Sequence, residues 1–191
     1  MDRREALKIS SLILGYSLTG TSAMILLNGC KADPKTDWTP SFLSEDELQL
    51  VAEISEMILP KTDTPGAKDA QCERYIDNAL FVFAKPEEQQ DFHKKLHIFD
   101  DKAKEKFAKA FLALNQNEKE KILDLVVADM KTFEAAKKEG KHIFRHLKEL
   151  TISGYCTSEV GVKGGLLDFR PVPGPYQGCI DYSTIGKTWA L

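Results

Sequence analysis

The sequence predicts an all-α protein, a helical bundle of about five to six helices with a long irregular C-terminal wrap. Three observations carry that prediction. Apolar residues recur three and four apart through most of residues 44–157, the period of a helix with one buried face. Capping and stopping residues bracket those runs. No segment alternates apolar and polar residues strictly enough to read as a half-buried strand.

Composition narrows the class. The chain has 191 residues, 42% of them hydrophobic and 29% charged, which is ordinary for a globular protein. Length suggests one domain with an appendage. Four cysteines are too few to scaffold a fold of this size. A net charge of −3 offers no basic face for phosphates, so nucleic acid is not an expected partner.

The appendage is N-terminal. A short charged start runs to Lys8, an uncharged stretch from Ile9 to Leu27 follows, and Leu27-Asn28-Gly29-Cys30 closes it. That order of regions marks residues 1–30 as an export signal. Arg3, Arg4, Leu7 and Lys8 resemble a twin-arginine signal, which serves proteins exported already folded. Asp2 and Ala6 depart from the usual residues of that motif. The final four residues resemble a lipoprotein box, with Cys30 as the acylated residue. The apolar stretch is also long enough to span a bilayer, so an uncleaved helix is the other reading. Either way, the remainder is expected on the periplasmic side of a bacterial cell envelope. Residues 31–43, with Pro34 and Pro40, read as a polar tether.

The domain from residue 44 to 191 opens on a helix with several agreeing signals. Ser44 and Glu47 have capping-box spacing, and Leu43 and Leu48 sit at staple positions. Leu48, Val51, Ala52, Ser55, Ile58 and Leu59 keep helical spacing, and Pro60 stops the run. Residues 62–67 are a turn cluster. A second helix is predicted over Asp69–Phe83, with Tyr75, Ile76, Ala79, Leu80 and Phe83 inward. Pro86 is placed as a first-turn proline of a third helix reaching Phe99, burying Phe92, Leu96 and Phe99. A short helix is predicted over Lys104–Leu114. Asn115 and Glu118 have capping-box spacing for a long helix to Lys138, with Ile122, Leu125, Val126, Met130 and Phe133 inward, ended by Gly140. The last helix runs from His142 to Thr157, burying Ile143, Leu147, Leu150 and Gly154. Residues 158–191 carry half of the chain's 12 glycines and three of its eight prolines, with little periodicity. Such long irregular segments are usually functional or disordered. This one keeps Leu166, Leu167, Phe169, Tyr176, Tyr182 and Trp189, so it reads as an ordered wrap, over its own core or against a partner.

Catalytic motifs are not evident. The sequence lacks a phosphate loop, a nucleophile elbow, a His-Glu-x-x-His pair of ligands and a haem-attachment motif. Gly161–Gly165 reads as a flexible turn. His93 and His97 are four apart, as are His142 and His146, so two such pairs could hold a metal. The alternative is that they edge the apolar faces set by Phe92, Leu96, Ile143 and Leu147. If Cys30 carries lipid, three cysteines remain. Cys72, Cys156 and Cys179 then allow one bridge and a free thiol, a bridge to another chain, or three buried thiols.

Three segments together resemble the gluconate 2-dehydrogenase subunit 3 family. They are Glu53–Ala67, with its Pro60-Lys61-Thr62-Asp63-Thr64-Pro65-Gly66-Ala67 turn; Leu147–Glu159, with Gly154-Tyr155-Cys156-Thr157-Ser158-Glu159; and Pro171–Cys179. Lys61 stands where the family usually has Thr, Ser or Ala, and Cys156 where an aromatic is common. The resemblance implies a non-catalytic small subunit with no cofactor of its own. Its relatives accompany a large FAD-containing dehydrogenase of the glucose-methanol-choline type, often with a multihaem cytochrome c subunit. That large subunit oxidises a sugar or sugar acid outside the membrane and often lacks an export signal. The small subunit's leader then carries the folded, flavin-loaded partner across. The expected roles are export, assembly and membrane docking.

The expected partner contacts are Tyr155, Cys156, Thr157, Ser158 and Glu159 in one box, and Arg170, Pro171, Pro173, Tyr176 and Cys179 in the tail. Tyrosine and arginine are common interface anchors, and packing within the chain is the competing role for each. Two other readings stay open. An enzyme or electron carrier built on the histidines and cysteines predicts bound metal or colour. A free-standing envelope lipoprotein with a structural or binding role predicts a stable monomer.

Overall fold

The computed structural model describes residues 38–191 except 171, 173, 176, 177 and 191. The expected export-signal residues Arg3, Arg4, Leu7 and Lys8, the lipidation residue Cys30, and Pro171, Pro173 and Tyr176 lie outside the described residues. The architecture below is that of the unit beginning at Pro40.

The fold is all-α, as the periodicity predicts. Helix α1 spans Glu45–Ile58. Its capping box forms: the Ser44 hydroxyl accepts from the Glu47 N–H at 3.3 Å, and Glu47 accepts from the Ser44 N–H at 2.9 Å. Leu43 and Leu48 are both buried beside it, as staple residues should be. Helix α2 spans Cys72–Phe83, α3 Pro86–Leu96 and α4 Ile98–Phe107. A single 3₁₀ turn covers Phe111–Ala113, and α5 spans Gln116–Ala135. Both halves of the α5 capping box form, Glu118 N–H to Asn115 at 2.9 Å and Asn115 N–H to Glu118 at 3.0 Å. Helix α6 spans Ile143–Thr157 and is the hub, packing on α1, α2, α3 and α5. Its Leu147, Thr151 and Tyr155 are buried together with Val51 and Ile54 of α1 and Ile76 of α2.

Several boundaries differ from the sequence reading, each for a local reason. Helix α2 begins at Cys72 rather than Asp69, because Asp69 turns back to accept from the Gly66 N–H at 3.2 Å. The predicted third helix is broken at His97, which ends α3 and begins α4. The break aims both Leu96 and Phe99 into the core. The helix predicted over Lys104–Leu114 does not form. Ala108 takes a left-handed conformation (φ 54°), and the chain turns back so that Asp100 accepts from the Phe111 N–H at 2.8 Å. Phe111 then meets Phe99 edge-on at 5.8 Å. Helix α5 stops three residues early, and Lys137 is left-handed (φ 48°). Three residues predicted inward are exposed: Leu125 on α5, Tyr75 on α2, and Phe83 in the last turn of α2. The end of α2 outruns the neighbours that cover its first two turns.

The tail is less irregular than expected. Helix α7 spans Glu159–Lys163, so Gly161 sits in a helix rather than a flexible turn. Strand β1 (Leu167–Phe169) pairs in parallel with β2 (Thr188–Ala190), Leu167 opposite Thr188. The short helix α8 (Tyr182–Ile185) lies between them. Three-residue strands are too short to show alternation, which is why the sequence conceals them. Strand β1 packs on α7.

Candidate functional site

Two of the distinctive sequence segments meet in space. Around residues 60–67 the chain reverses, and Glu56 gathers the two ends of the reversal. One carboxylate oxygen accepts from the Lys61 N–H at 2.9 Å, the other from the Lys68 N–H at 2.9 Å. The Ala67 N–H closes the turn onto the Leu59 carbonyl at 2.9 Å. Gly66 is required by close approach, since a Cβ there would lie 2.7 Å from the Lys61 nitrogen. Glu53, one turn earlier, pairs with Lys68 and with Lys119 of α5. Burial alone would raise its carboxyl, but the two ammonium groups hold it below the usual range.

The second segment lands on this turn. Tyr155 is 1% exposed and packs with Ala67 and Cys72, flanked by Leu59 and Cys156. Its hydroxyl donates to the Pro65 carbonyl at 2.8 Å. Burial raises the phenol above its usual range. Gly154 faces the Tyr75 ring, where a Cβ would sit 2.8 Å from a ring carbon. Ser158 then turns the corner into α7, accepting from the Gly161 N–H at 2.9 Å and donating to the Tyr155 carbonyl at 2.8 Å. Gly164 closes on the Pro65 ring, leaving room for no side chain.

The residues expected at a partner interface therefore divide. Tyr155 takes the intramolecular role, as a core side chain, and Ser158 is a helix cap. Thr157 is exposed with its hydroxyl turned back to the Ser153 carbonyl at 2.8 Å. Glu159 is exposed and pairs with Lys163 at 2.7 Å. Cys156 is half-buried. In the tail, Arg170 is exposed and pairs with Asp168 at 2.6 Å, and Cys179 is exposed. Apolar side chains of the tail stand in solvent: Phe169 is 50% exposed, Tyr182 69% and Val172 83%.

The cysteines are free among the described residues, and only Cys72 is fully buried. The reading with three buried thiols is therefore not met. Burial pushes the Cys72 thiol up to about 12, and it donates to the Thr151 carbonyl at 3.7 Å. It is a packing group, not a nucleophile.

The histidine pairs do not converge. His93 bonds Glu47 at 2.7 Å and stacks near Phe42, while His146 meets the edge of Phe92 at 5.7 Å. His142 caps α6, accepting from the Phe144 N–H at 3.2 Å. Burial holds both His142 and His146 below the usual imidazole range. Among the described residues, no three His, Cys, Asp or Glu side chains could share a metal ion. No helix among them is long and apolar enough to cross a membrane.

Sequence reasoning missed two things here. One is the end of α2, where Phe81-Val82-Phe83 stand in solvent. The signal was present, because three consecutive large apolar residues cannot all face one side of a helix. The other is Asp77, buried on α2, which accepts from the N–H groups of Ser41, Phe42 and Leu43 at 2.8, 3.0 and 2.6 Å. No spacing rule predicts a carboxylate that binds backbone more than thirty residues earlier.

Comparison with known proteins adds one positive finding. The family model described as Gluconate 2-dehydrogenase subunit 3 matches residues 45–174, from the first residue of α1 to the loop after β1. No curated protein and no solved structure matches the chain.

Proposed function

The chain belongs to the gluconate 2-dehydrogenase subunit 3 family, and from that premise we propose that it is a non-catalytic accessory subunit of a periplasm-facing, FAD-dependent dehydrogenase. The catalytic partner is of the glucose-methanol-choline type and oxidises a sugar or sugar acid, with FAD bound in that partner. A cytochrome c subunit completes the electron path in complexes that carry one. This chain contributes export, assembly and membrane docking.

The observation that carries the reading is the family match across the helical bundle. The sequence supports its direction of travel. The Arg3-Arg4 signal suits folded cargo, and Cys30 suits a lipid tether on the periplasmic side. A multiply acylated cysteine would hold the complex at the membrane, where a single chain binds only marginally. The exposed Phe169, Val172 and Tyr182 of the tail are apolar surface that a partner would cover. Arg170 and Cys179 belong to the same arm.

Export with cargo is tested by fractionating cells that carry the Arg3→Lys/Arg4→Lys double variant. The flavoprotein and its dehydrogenase activity are expected to remain in the cytoplasm, together with this chain. Normal membrane-bound activity in that strain would contradict the export role.

A further inference from the structure

We propose that the cavity between α3, α4, the end of α5 and the start of α6 is a binding site for a phosphate group, held by Lys94, Lys138 and the imidazole N–H of His142. The site is independent of the accessory-subunit reading.

The cavity holds about 310 Å³. That is room for a phosphate with a substituent, since small-ligand sites begin at about 300 Å³. Its walls are partly apolar, from Ile98, Phe133 and Ile143. His142 is the buried polar group of the lining, at 8% exposure. Its Nδ1 accepts from the Phe144 N–H at 3.2 Å, so in the neutral ring Nε2 carries the proton. Phe133 packs against the imidazole at 5.7 Å and fixes its plane. The Asp129 Oδ2 oxygen lies 3.7 Å from Nε2, beyond hydrogen-bond range, and also faces Lys102 at 3.8 Å. The buried ring thus keeps an N–H donor without a hydrogen bond among the described residues, a costly state unless something in the cavity accepts from it.

The lining is cationic in an acidic chain. Lys94, Lys95, Lys138 and Lys141 face two carboxylates, Asp101 and Asp129, whereas the whole chain carries −3. Lys95 and Lys141 are matched outside the cavity, by Asp91 at 2.6 Å and Glu149 at 2.7 Å. Lys95 also donates to the Lys141 carbonyl at 3.4 Å, which ties α3 to the loop before α6. Lys94 and Lys138 have no carboxylate partner among the described residues. Lys138 is held over the Phe133 ring at 5.8 Å. Two free ammonium groups and one imidazole N–H, from three separate stretches of chain, suit a tetrahedral anion with several acceptor oxygens better than a planar carboxylate or a halide. Asp101, exposed at the rim, opposes an anion. The phosphate can belong to a soluble phosphate or to a lipid headgroup, which share this chemistry.

The test is an NMR titration of the purified full chain, isotope-labelled at histidine, with inorganic phosphate. Chloride and acetate at equal ionic strength are the controls, and His142→Gln assigns the His142 signals. Phosphate is expected to shift those signals to saturation, and neither control is. Lys94→Ala/Lys138→Ala is expected to weaken binding about tenfold or more. Its melting temperature should stay unchanged, because both side chains are in solvent. Asp101→Asn removes the opposing charge and is expected to tighten binding. The chain in lipid nanodiscs separates the two sources. A His142 signal already shifted in phosphatidylglycerol discs but not in phosphatidylcholine discs, and insensitive to added phosphate, assigns the site to a lipid headgroup. The same signal in both discs, moved only by added phosphate, assigns it to a soluble phosphate. A drift without saturation, an equal response to chloride or acetate, or unchanged affinity in the lysine double variant would overturn the proposal. So would weaker binding by Asp101→Asn.

Discussion

Asp77 shows how much one side chain can fix. Its carboxylate takes the last three backbone N–H groups before the α1 cap, and so joins the entry of the helical unit to the middle of α2. A buried carboxylate with several backbone donors is well compensated, whereas orphaned buried N–H groups are costly. Asp77→Ala is expected to lose about 3 kcal/mol or more, at about 1–3 kcal/mol per unsatisfied group. Urea unfolding of the two proteins checks this, and a loss under about 1 kcal/mol would show that water replaces the carboxylate. His146 gives the second residue-scale prediction. Its imidazole is held below the usual range, chiefly by burial and also by Lys141, so the folded state favours the neutral ring. The unfolded chain takes up a proton near pH 6.5. Stability from this residue is therefore present above that value and is lost as pH falls through the lowered folded-state pKa. His142 acts in the same sense. Melting temperature should fall as the buffer is taken below about pH 6.5, and less steeply in His146→Phe. An equal slope in the two proteins would remove His146 from the account.

At the scale of elements, the turn at residues 60–67 and the corner at 154–164 act as one joint. Glu56 ties the turn, Tyr155 fills it, and Gly161 lets α7 fold back against the end of α6. A methyl group at 161 would be driven into the Tyr155 carbonyl and to 2.9 Å from its ring. Gly161→Ala is therefore expected to destabilise the fold by about 1–3 kcal/mol, the range for an overpacked core. Thermal unfolding reads the effect, and a neutral substitution would mean that α7 is free to shift. Much of this level was legible beforehand. Capping boxes at Ser44 and Asn115, the proline stop at Pro60 and the buried stripes of α1, α3 and α6 follow from local spacing. The misses have physical causes. Ala108 and Lys137 adopt left-handed conformations without glycine, so no residue type announces those helix ends. The β1–β2 pairing joins residues about twenty apart through strands of three residues each, below the length at which period two can be seen. Tyr155 was recognisable as an anchor, but its target, the Pro65 carbonyl ninety residues earlier, was not.

For the whole molecule, the interior and the surface call for different explanations. The core is complete in itself: α6 is enclosed by α1, α2, α3 and α5, and its buried Thr151 is paired with Ser55 at 3.1 Å. The surface is less complete. Apolar side chains stand exposed at the end of α2 and along the tail, and each is the kind of area a companion subunit covers. A family defined as one subunit of a dehydrogenase is consistent with that division. The most direct measurement is the absorbance spectrum of the affinity-purified native chain from membranes, with every co-purifying polypeptide identified. The account predicts flavin absorbance and a dehydrogenase-sized partner of the glucose-methanol-choline type in fixed ratio to this chain. A colourless preparation containing this chain alone would contradict it and leave a free-standing envelope lipoprotein.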